Sequence, residues 1–418
     1  MIFLIDCNNF YTSCEEIFNP KLKNFPCVVL SSNDGCVVAR SRLAKQIGIP
    51  MGIPVFKIRN LIENYNVQLF SANFSLYGDI SNRVMQTIKT FGFEIEQYSI
   101  DEAFVYVDEK LDFQKLAFDM QKKIKQWCGI PVSIGIAPTK TLAKLANYHA
   151  KKFSEKNISY IDNIYSRQWS NFFKNSAITE VWGIGYRNTI RLNKIGIYTL
   201  FDFLNADRLV IKKTLGINGV RTQMELKGIP TISKESFQTS KSIVTSRSFG
   251  KNITSLNELK ETVSTFANNV SIKLRKQNAL ASYVFVVIYT NKFSSKSKQY
   301  YAKDFIALDS PTNSSQILID NAIKILEKIY KKGYEYKKSM VGVWGIFPSG
   351  FEPKTLFDDK NNLKLKNLDE AIDKINLKIK KDGIKYAVMG LESKWIPKSN
   401  MKSSKYTTNW NEILEIKI

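Results

Sequence analysis

The sequence predicts an α+β protein of several domains, with an N-terminal sheet that carries carboxylates at its strand ends. Three observations predict this. Strand-like apolar runs alternate with amphipathic, helix-like segments over residues 1–150. Asp6 closes the apolar run of residues 1–5, and a second acidic pair, Asp101 and Glu102, falls at the bend of a hairpin pattern. A compact βαββαβ pattern then fills residues 242–349.

Residues 2–5 are apolar throughout and read as a buried strand; residues 27–30, after Pro26, read as a second. Residues 38–47 read as a helix closed by Gly48 and Pro50, and residues 76–91 as another, ended by Gly92. Residues 94–101 and 104–107 pattern as the hairpin that bends at Asp101 and Glu102. An amphipathic helix over 113–127, a strand over 132–136 and a helix over 139–152 complete this part. A sheet with helices on one face and acids at strand ends is a ferredoxin-like arrangement.

Residues 178–230 change character. Gly183, Gly185, Gly196 and Gly216 punctuate short helical stretches in a helix-hairpin-helix pattern. Such glycines let backbone N–H groups approach a phosphate without a side chain in the way. Arg187, Arg191 and Lys194 flank the first two turns. A plain helix-turn-helix bundle is the alternative.

Residues 231–241 are polar and unpatterned, a linker. In the βαββαβ block, residues 243–249 read as a strand with Thr245 and Arg247 outward, and Ser255 with Glu258 as a capping box. Leu256, Leu259, Val263, Phe266, Val270 and Leu274 stripe one helix; Leu318, Ala322, Ile325 and Ile329 stripe another. A four-stranded sheet with both helices on one face leaves the other face free to lie on a duplex. From residue 350 a tail begins. Leu368, Ile372, Ile375 and Ile379 mark a short amphipathic helix there, too little for a core of its own. The tail is expected to dock on partners or on the main body.

At 418 residues the chain is long for one domain. Its apolar runs fall short of the roughly 18–20 residues that span a bilayer, and residues 1–5 reach an aspartate too soon for a signal peptide. Five cysteines without C-x-x-C spacing and the single His149 do not make a zinc site. Reduced thiols in a cytosolic protein are expected, with His149 a packing or surface residue. The formal charge of +23 is unevenly placed. Residues 1–150 carry 16 Lys and Arg against 14 Asp and Glu, whereas residues 151–300 carry 24 against 9. A basic middle attached to an acidic end suggests a nucleic acid held by one part and processed by another.

The acids suggest the chemistry. A carboxylate at the tip of a buried strand, facing an Asp-Glu pair, outlines a site for two Mg²⁺ ions about 3.5–4 Å apart that runs in-line phosphoryl or nucleotidyl transfer. Mg²⁺ needs only one or two protein carboxylates beside substrate phosphates. Asp6, Asp101 and Glu102 are the candidates. As a strand-end cap, Asp6 would be costly among apolar neighbours unless paired.

Three motifs then resemble one family closely: Asp6-Cys7-Asn8-Asn9-Phe10-Tyr11, Ser32-Asn33-Asp34-Gly35-Cys36-Val37-Val38-Ala39-Arg40-Ser41, and Tyr98-Ser99-Ile100-Asp101-Glu102-Ala103-Phe104. They look like the Y-family translesion DNA polymerases, and the second is of the kind found in their UmuC branch, the catalytic subunit of DNA polymerase V. The tail segment Ser404-Lys405-Tyr406-Thr407-Thr408-Asn409-Trp410 is similar to that branch's C-terminal extension. The resemblance covers essentially the whole chain.

It implies a right-hand polymerase: a ferredoxin-like palm from residues 1–22 and 77–165, small fingers at 23–76, a helix-hairpin-helix thumb at 166–231, a linker at 232–241, a βαββαβ little finger at 242–349 and a partner-binding C-terminal extension at 350–418. It also implies template-directed, error-prone synthesis from dNTPs in the SOS response to DNA damage, with two Mg²⁺ ions. Asp6, Asp101, Glu102 and the backbone carbonyl of Cys7 match the metal-binding positions. Tyr11, with Phe10 beside it, matches the ring that blocks a 2′-hydroxyl; core packing is its alternative. Arg42, Lys45 and Lys144 match contacts to the triphosphate, with solvated helix faces as the alternative for the lysines. Gly183, Gly185, Arg187, Lys194 and Arg247 are the expected DNA contacts. The implied partners are primer-template DNA, a UmuD-like dimer, a recombinase filament and a sliding clamp reached through Leu356 and Phe357; membrane is not among them. The implied location is the bacterial cytoplasm, at the nucleoid.

Two departures stand out. Asn8 replaces an aspartate common in other branches, and the clamp-binding pentapeptide keeps only its last two residues in Pro353-Lys354-Thr355-Leu356-Phe357. No further acid pair is followed by a nuclease-like pattern, so proofreading is not expected. The rival functions are a non-catalytic DNA-repair scaffold that kept the fold, and a palm-fold nucleotide cyclase, whose Gly-Gly-Asp/Glu-Glu-Phe-type turn the sequence lacks.

Overall fold

In a computed structural model of the chain, β1 (Ile2–Cys7) is the middle strand of a five-stranded sheet. The structure describes all residues except 109, 235–239, 296, 351–359, 380–382, 392–394 and 416–418. It divides into two units: residues 1–31, 35–236 and 401–418 form the first, and residues 32–34 and 237–400 the second.

In the first unit, α1 (Phe10–Phe18) follows β1, then β2 (Cys27–Leu30), β3 (Val37–Arg40), α2 (Arg42–Gln46), α3 (Arg59–Asn64) and β4 (Gln68–Ser71). Next come α4 (Phe74–Lys89), β5 (Glu94–Gln97), β6 (Glu102–Tyr106), α5 (Phe113–Cys128), β7 (Val132–Ala137), α6 (Lys140–Phe153) and β8 (Ile158–Tyr160). Four helices close the unit: α7 (Arg167–Asn175), α8 (Tyr186–Asn193), α9 (Leu200–Asn205) and α10 (Arg208–Leu226). The main sheet runs β5-β6-β1-β7-β8, with β1 antiparallel to both neighbours. A smaller sheet runs β3-β2-β4.

The sheet is covered on both faces. Phe3 and Ile5 point into a core with Ile80, Val84 and Ile88 of α4 and Met120 and Ile124 of α5. Ile2 and Leu4 point the other way, into a core with Leu142, Leu145 and Ala146 of α6 and apolar residues between 161 and 226. The expected helices on one face are thus α4 and α5 only. A two-sided strand is apolar without alternation, as residues 2–5 are. Gly135 lets α6 approach: a Cβ there would meet the Ala143 carbonyl oxygen and the Asn147 nitrogen at 2.2 Å. Each fully buried side chain of β1 stabilises the unit by about 1.5–3 kcal/mol.

Residues 38–47 are not one helix. Val37–Arg40 pairs with β2 as β3, and α2 begins only after Ser41, whose hydroxyl accepts from the Ala44 N–H. A Val-Val run suits a pleated surface, which overrides a helical apolar spacing over so short a stretch. The α10 segment is broken at Gly216 (φ 73°, ψ −165°), which marks the third glycine turn.

The second unit holds β9 (Ser242–Ile253), α11 (Leu256–Lys276), β10 (Ala279–Thr290), β11 (Tyr301–Thr312), α12 (Ser315–Ile329), β12 (Tyr336–Pro348) and α13 (Lys360–Ile379). The sheet order is β11-β10-β12-β9. Val284, Val286, Ile288, Val341 and Val343 pack under Leu259, Val263, Phe266, Leu318 and Ile325 of the two helices. On the opposite face Tyr283 stacks on Trp344 at 5.1 Å, and Phe285 and Phe305 lean on the same indole. Two local expectations change. Ser255 makes no side-chain cap to α11, so the capping box does not form. Thr245 is buried, because it shares the helix-covered face with Ile243.

The C-terminal extension divides between the units. Arg275 forks onto Asp373 at 2.7 and 2.9 Å, and the buried Asp369 accepts from the Ser315 N–H at 2.9 Å, so α13 is held by its carboxylates. Leu368, Ile375 and Ile379 of its predicted apolar stripe stay exposed. Residues 401–412 pack in the first unit, where Met401 exchanges hydrogen bonds with Ser71 at 2.9 Å and Tyr406 stacks on Phe18 at 4.6 Å. No helix among the described residues is long and apolar enough to cross a membrane.

Candidate active site

Asp6 near the end of β1 lies opposite Glu102, the first residue of β6. One residue on, the Cys7 N–H donates to the Asp101 carbonyl at 2.9 Å. Two motifs remote in sequence are thus tied at one end of the sheet. Antiparallel register does this, since a slip by one residue would turn Asp6 to the opposite face. Ser99 organises the turn before β6. Its Oγ donates to Asp101 Oδ1 at 2.6 Å and accepts from the N–H groups of Asp101 and Glu102 at 3.3 and 3.0 Å.

Two lysines of α6 face these acids. Lys144 Nζ lies 3.0 Å from both Glu102 oxygens and 4.4 Å from the centre of the Tyr98 ring. Lys151 Nζ lies 2.6 Å from Asp6 Oδ2. Lys151 escaped the sequence reading. Its signal is the seven-residue spacing from Lys144, two helical turns along one face.

Burial pushes the Asp6 carboxyl up to about 7, against the pull of Lys151, and the charges of Glu102 and Asp101 add to the rise. The folded chain therefore holds the Asp6 proton more tightly than the unfolded chain, whose value is 3.8. The stability this contributes is full below that value and is lost as pH rises through about 7. We expect the metal-free chain to lose stability relative to Asp6→Asn between pH 5 and pH 8 in urea denaturation. Parallel pH profiles for the two proteins would refute this. Cys7 is buried alongside; desolvation first, then the charges of Asp6 and Asp101, hold its thiol well above the ordinary range.

Among the described residues no group of three or more His, Cys, Asp and Glu is arranged to hold a metal ion. In this structure Lys151 engages Asp6, Lys144 engages Glu102 and Ser99 engages Asp101. The donor set nevertheless suits Mg²⁺. It is all oxygen, and the Asp6 carboxyl is pushed up by burial in spite of Lys151, a deficit of positive charge that a divalent ion would relieve.

Tyr11 lies on α1, half-buried. Its ring stacks on Tyr77 at 4.6 Å and 15°, with the edge of Phe74 at 6.0 Å. Phe10, by contrast, is a core residue, 4% exposed; it backs Tyr11 and does not present a face to a nucleotide. Lys45 donates to the Asn9 side-chain oxygen. Burial first, then the charges of Arg40 and Lys151, pull its ammonium below the usual range, against the pull of Asp6. Arg42 is exposed in the first turn of α2. Asn8 accepts from the Ser133 hydroxyl at 2.8 Å.

In the helix-hairpin-helix region Gly183 (φ 88°) and Gly196 (φ 81°) take the left-handed conformation that favours glycine. Gly185 differs: its φ is −87°, and a Cβ there would meet nothing within 4 Å. Neither backbone conformation nor packing asks for glycine at that position. Gly183, Gly185, Arg187, Arg191 and Lys194 are all exposed. Arg247 is exposed on β9, an edge strand of the other unit. Leu356 and Phe357 lie outside the described residues. His149 packs against Trp169 at 4.7 Å and hydrogen-bonds Ser159 at 2.9 Å, a packing residue. All five cysteines are free thiols.

The fold is that of the Y-family DNA polymerases. A Y-family polymerase chimera of Dbh and Dpo4 matches with a TM-score of 0.67 at 21% identity, covering 83% of this chain and 99% of the other. An insertion ternary complex of Dbh DNA polymerase matches with a TM-score of 0.53 at the same identity and coverage. Residues 5–148 match the impB/mucB/samB family, residues 240–356 its C-terminal domain, and residues 366–416 a domain of unknown function. The chain is 35% identical to UmuC of Salmonella typhimurium over 100% of both proteins, and 34% identical to MucB of Escherichia coli over 99% of both. DNA polymerase IV of Oceanobacillus iheyensis is 28% identical over 72% of each. The chain belongs to the impB/mucB/samB family, the UmuC branch of the Y-family DNA polymerases.

Proposed function

We propose that this translesion polymerase adds dNTPs to a primer 3′-hydroxyl by a two-metal mechanism, without proofreading, in the SOS response to DNA damage. The observation that carries the reading is the convergence of Asp6, Asp101 and Glu102 at one sheet end. Two Mg²⁺ ions held by these carboxylates and the Cys7 carbonyl would supply an acidified 3′-hydroxyl and charge neutralisation on the phosphates. The chain's own residues do the rest. Lys45, with Arg40 nearby, offers positive charge to the β- and γ-phosphates. Lys144, which pairs with Glu102, would turn to the triphosphate, and Lys151, which pairs with Asp6, would give way where the carboxylates hold divalent ions. Tyr11 closes the space a 2′-hydroxyl would need.

Residues 1–22 and 77–165 serve as palm, 23–76 as fingers, 166–231 as thumb and 242–349 as little finger. The exposed turn at Gly183 and Gly185, with Arg187, Lys194 and Arg247, holds DNA phosphates, which position a duplex without reading its sequence. The exposed Leu368, Ile375 and Ile379 of α13 suit a partner surface, for which a UmuD-like dimer and a recombinase filament are the candidates. A sliding clamp at Leu356 and Phe357 is a further candidate. Nucleoid DNA in a bacterial cytoplasm is the setting.

The test is primer extension over undamaged and abasic templates. Extension with Mg²⁺ and none with a chelator is expected, with no cyclic product from free dNTP or NTP. Failure to extend even with the UmuD-like dimer and recombinase filament added would overturn the reading.

A further inference from the structure

Glu15 is a buried carboxyl, 2% exposed, that accepts hydrogen bonds from two neutral hydroxyls at the same oxygen. One is Tyr77 at 2.6 Å; the other is Ser403 at 3.0 Å, from the C-terminal extension. Glu15 lies four residues after Tyr11, on the same face of α1. Tyr77 joins them, its ring stacked on Tyr11 and its hydroxyl on Glu15. The same stretch of tail fixes the start of α4. Asn73, fully buried, donates to the Ser403 carbonyl, the Ser403 hydroxyl and the Ser404 carbonyl at 3.0, 3.0 and 3.1 Å. Its side-chain oxygen caps α4, the helix that carries both Phe74 and Tyr77.

We propose that Ser403 is a positioning residue for sugar selection, holding the Tyr11 ring through Glu15 and Tyr77. This rests on the reading of Tyr11 as the group that excludes a 2′-hydroxyl. A buried carboxylate is costly unless its lone pairs are satisfied, so the Ser403 donor fixes the Glu15 rotamer and with it the Tyr77 hydroxyl. A stacked ring whose partner shifts loses its wall. The end of the extension thereby becomes part of the nucleotide pocket's support, and not solely a surface for partners.

The test is single-nucleotide insertion by the full-length chain on primed DNA with Mg²⁺. The ratio of kcat/KM for a dNTP to that for the matching ribonucleotide is measured for wild type, Ser403→Ala, Ser403→Thr and Tyr11→Ala. Ser403→Ala should lower the ratio about tenfold, the scale of one hydrogen bond to a charged group, chiefly through a lower KM for the ribonucleotide. Ser403→Thr, which keeps the hydroxyl, should restore the ratio. An unchanged ratio in Ser403→Ala beside a collapsed one in Tyr11→Ala would overturn the inference alone. An equal fall for both nucleotides in Ser403→Ala would also overturn it, reducing Ser403 to a structural contact. An unchanged ratio in Tyr11→Ala would sink the gate reading and this inference with it.

Discussion

Asp101→Ala is expected to abolish primer extension, lowering kcat/KM by about 10⁴-fold or more, with DNA affinity within about twofold of wild type. Asp101 sits in a turn held by the Ser99 hydroxyl and by the Cys7 N–H on its carbonyl. The backbone contact survives truncation of the side chain, so the sheet end keeps its geometry while one of three carboxylates is gone. The DNA-contacting candidates lie on other elements, around Gly183, Gly185 and Arg187 and on β9. Binding and chemistry should therefore separate cleanly. A variant that binds and still extends would remove Asp101 from the metal site. A wild-type chain that binds but never extends would favour the repair-scaffold alternative.

Tyr11→Ala is expected to lower discrimination against ribonucleotides on the order of 10²-fold, the scale of a lost overpacked contact. The ring blocks by being held. It is stacked on Tyr77, itself fully buried, with Phe74 at its edge. Tyr11→Phe keeps the ring and should keep most of the discrimination, because shape and not the hydroxyl excludes the sugar oxygen. The measurement is the same insertion ratio, dNTP against ribonucleotide. Unchanged selectivity in Tyr11→Ala would return the residue to ordinary packing.

The main sheet was readable because its signals are local. The run at residues 2–5 is apolar, Asp6 interrupts it, and Gly92 ends the preceding helix, so strand, acid and hairpin follow from short windows. The second face of that sheet was less visible, although the unbroken apolarity of Ile2 to Ile5 was the clue to it. Residues 38–47 misled because Val-Val-Ala fits either period over so few positions. Lys151 was overlooked because a charged helix residue looks solvated until its acid partner is placed opposite. Phe10 was assigned to the nucleotide through its neighbour, yet on a helix adjacent residues point about 100° apart, so one of the two faces the core. The longest reach was the least readable. Ser403 meets Glu15 across 388 positions, and the composition around it gives no hint of that contact. With Ser403 hydrogen-bonded to Glu15, removing residues 350–418 should weaken sugar selection as well as partner-dependent activity.

The thiol of Cys7 is buried beside Asp6 and Asp101 and held un-ionised by desolvation and by their negative charge. Peroxides and electrophiles react with the thiolate form, and there is almost none of it here at neutral pH. Cys14 and Cys27 are similarly kept protonated by burial. The thiol next in sequence to Asp6 is thus kept chemically quiet by the same burial that raises the Asp6 carboxyl.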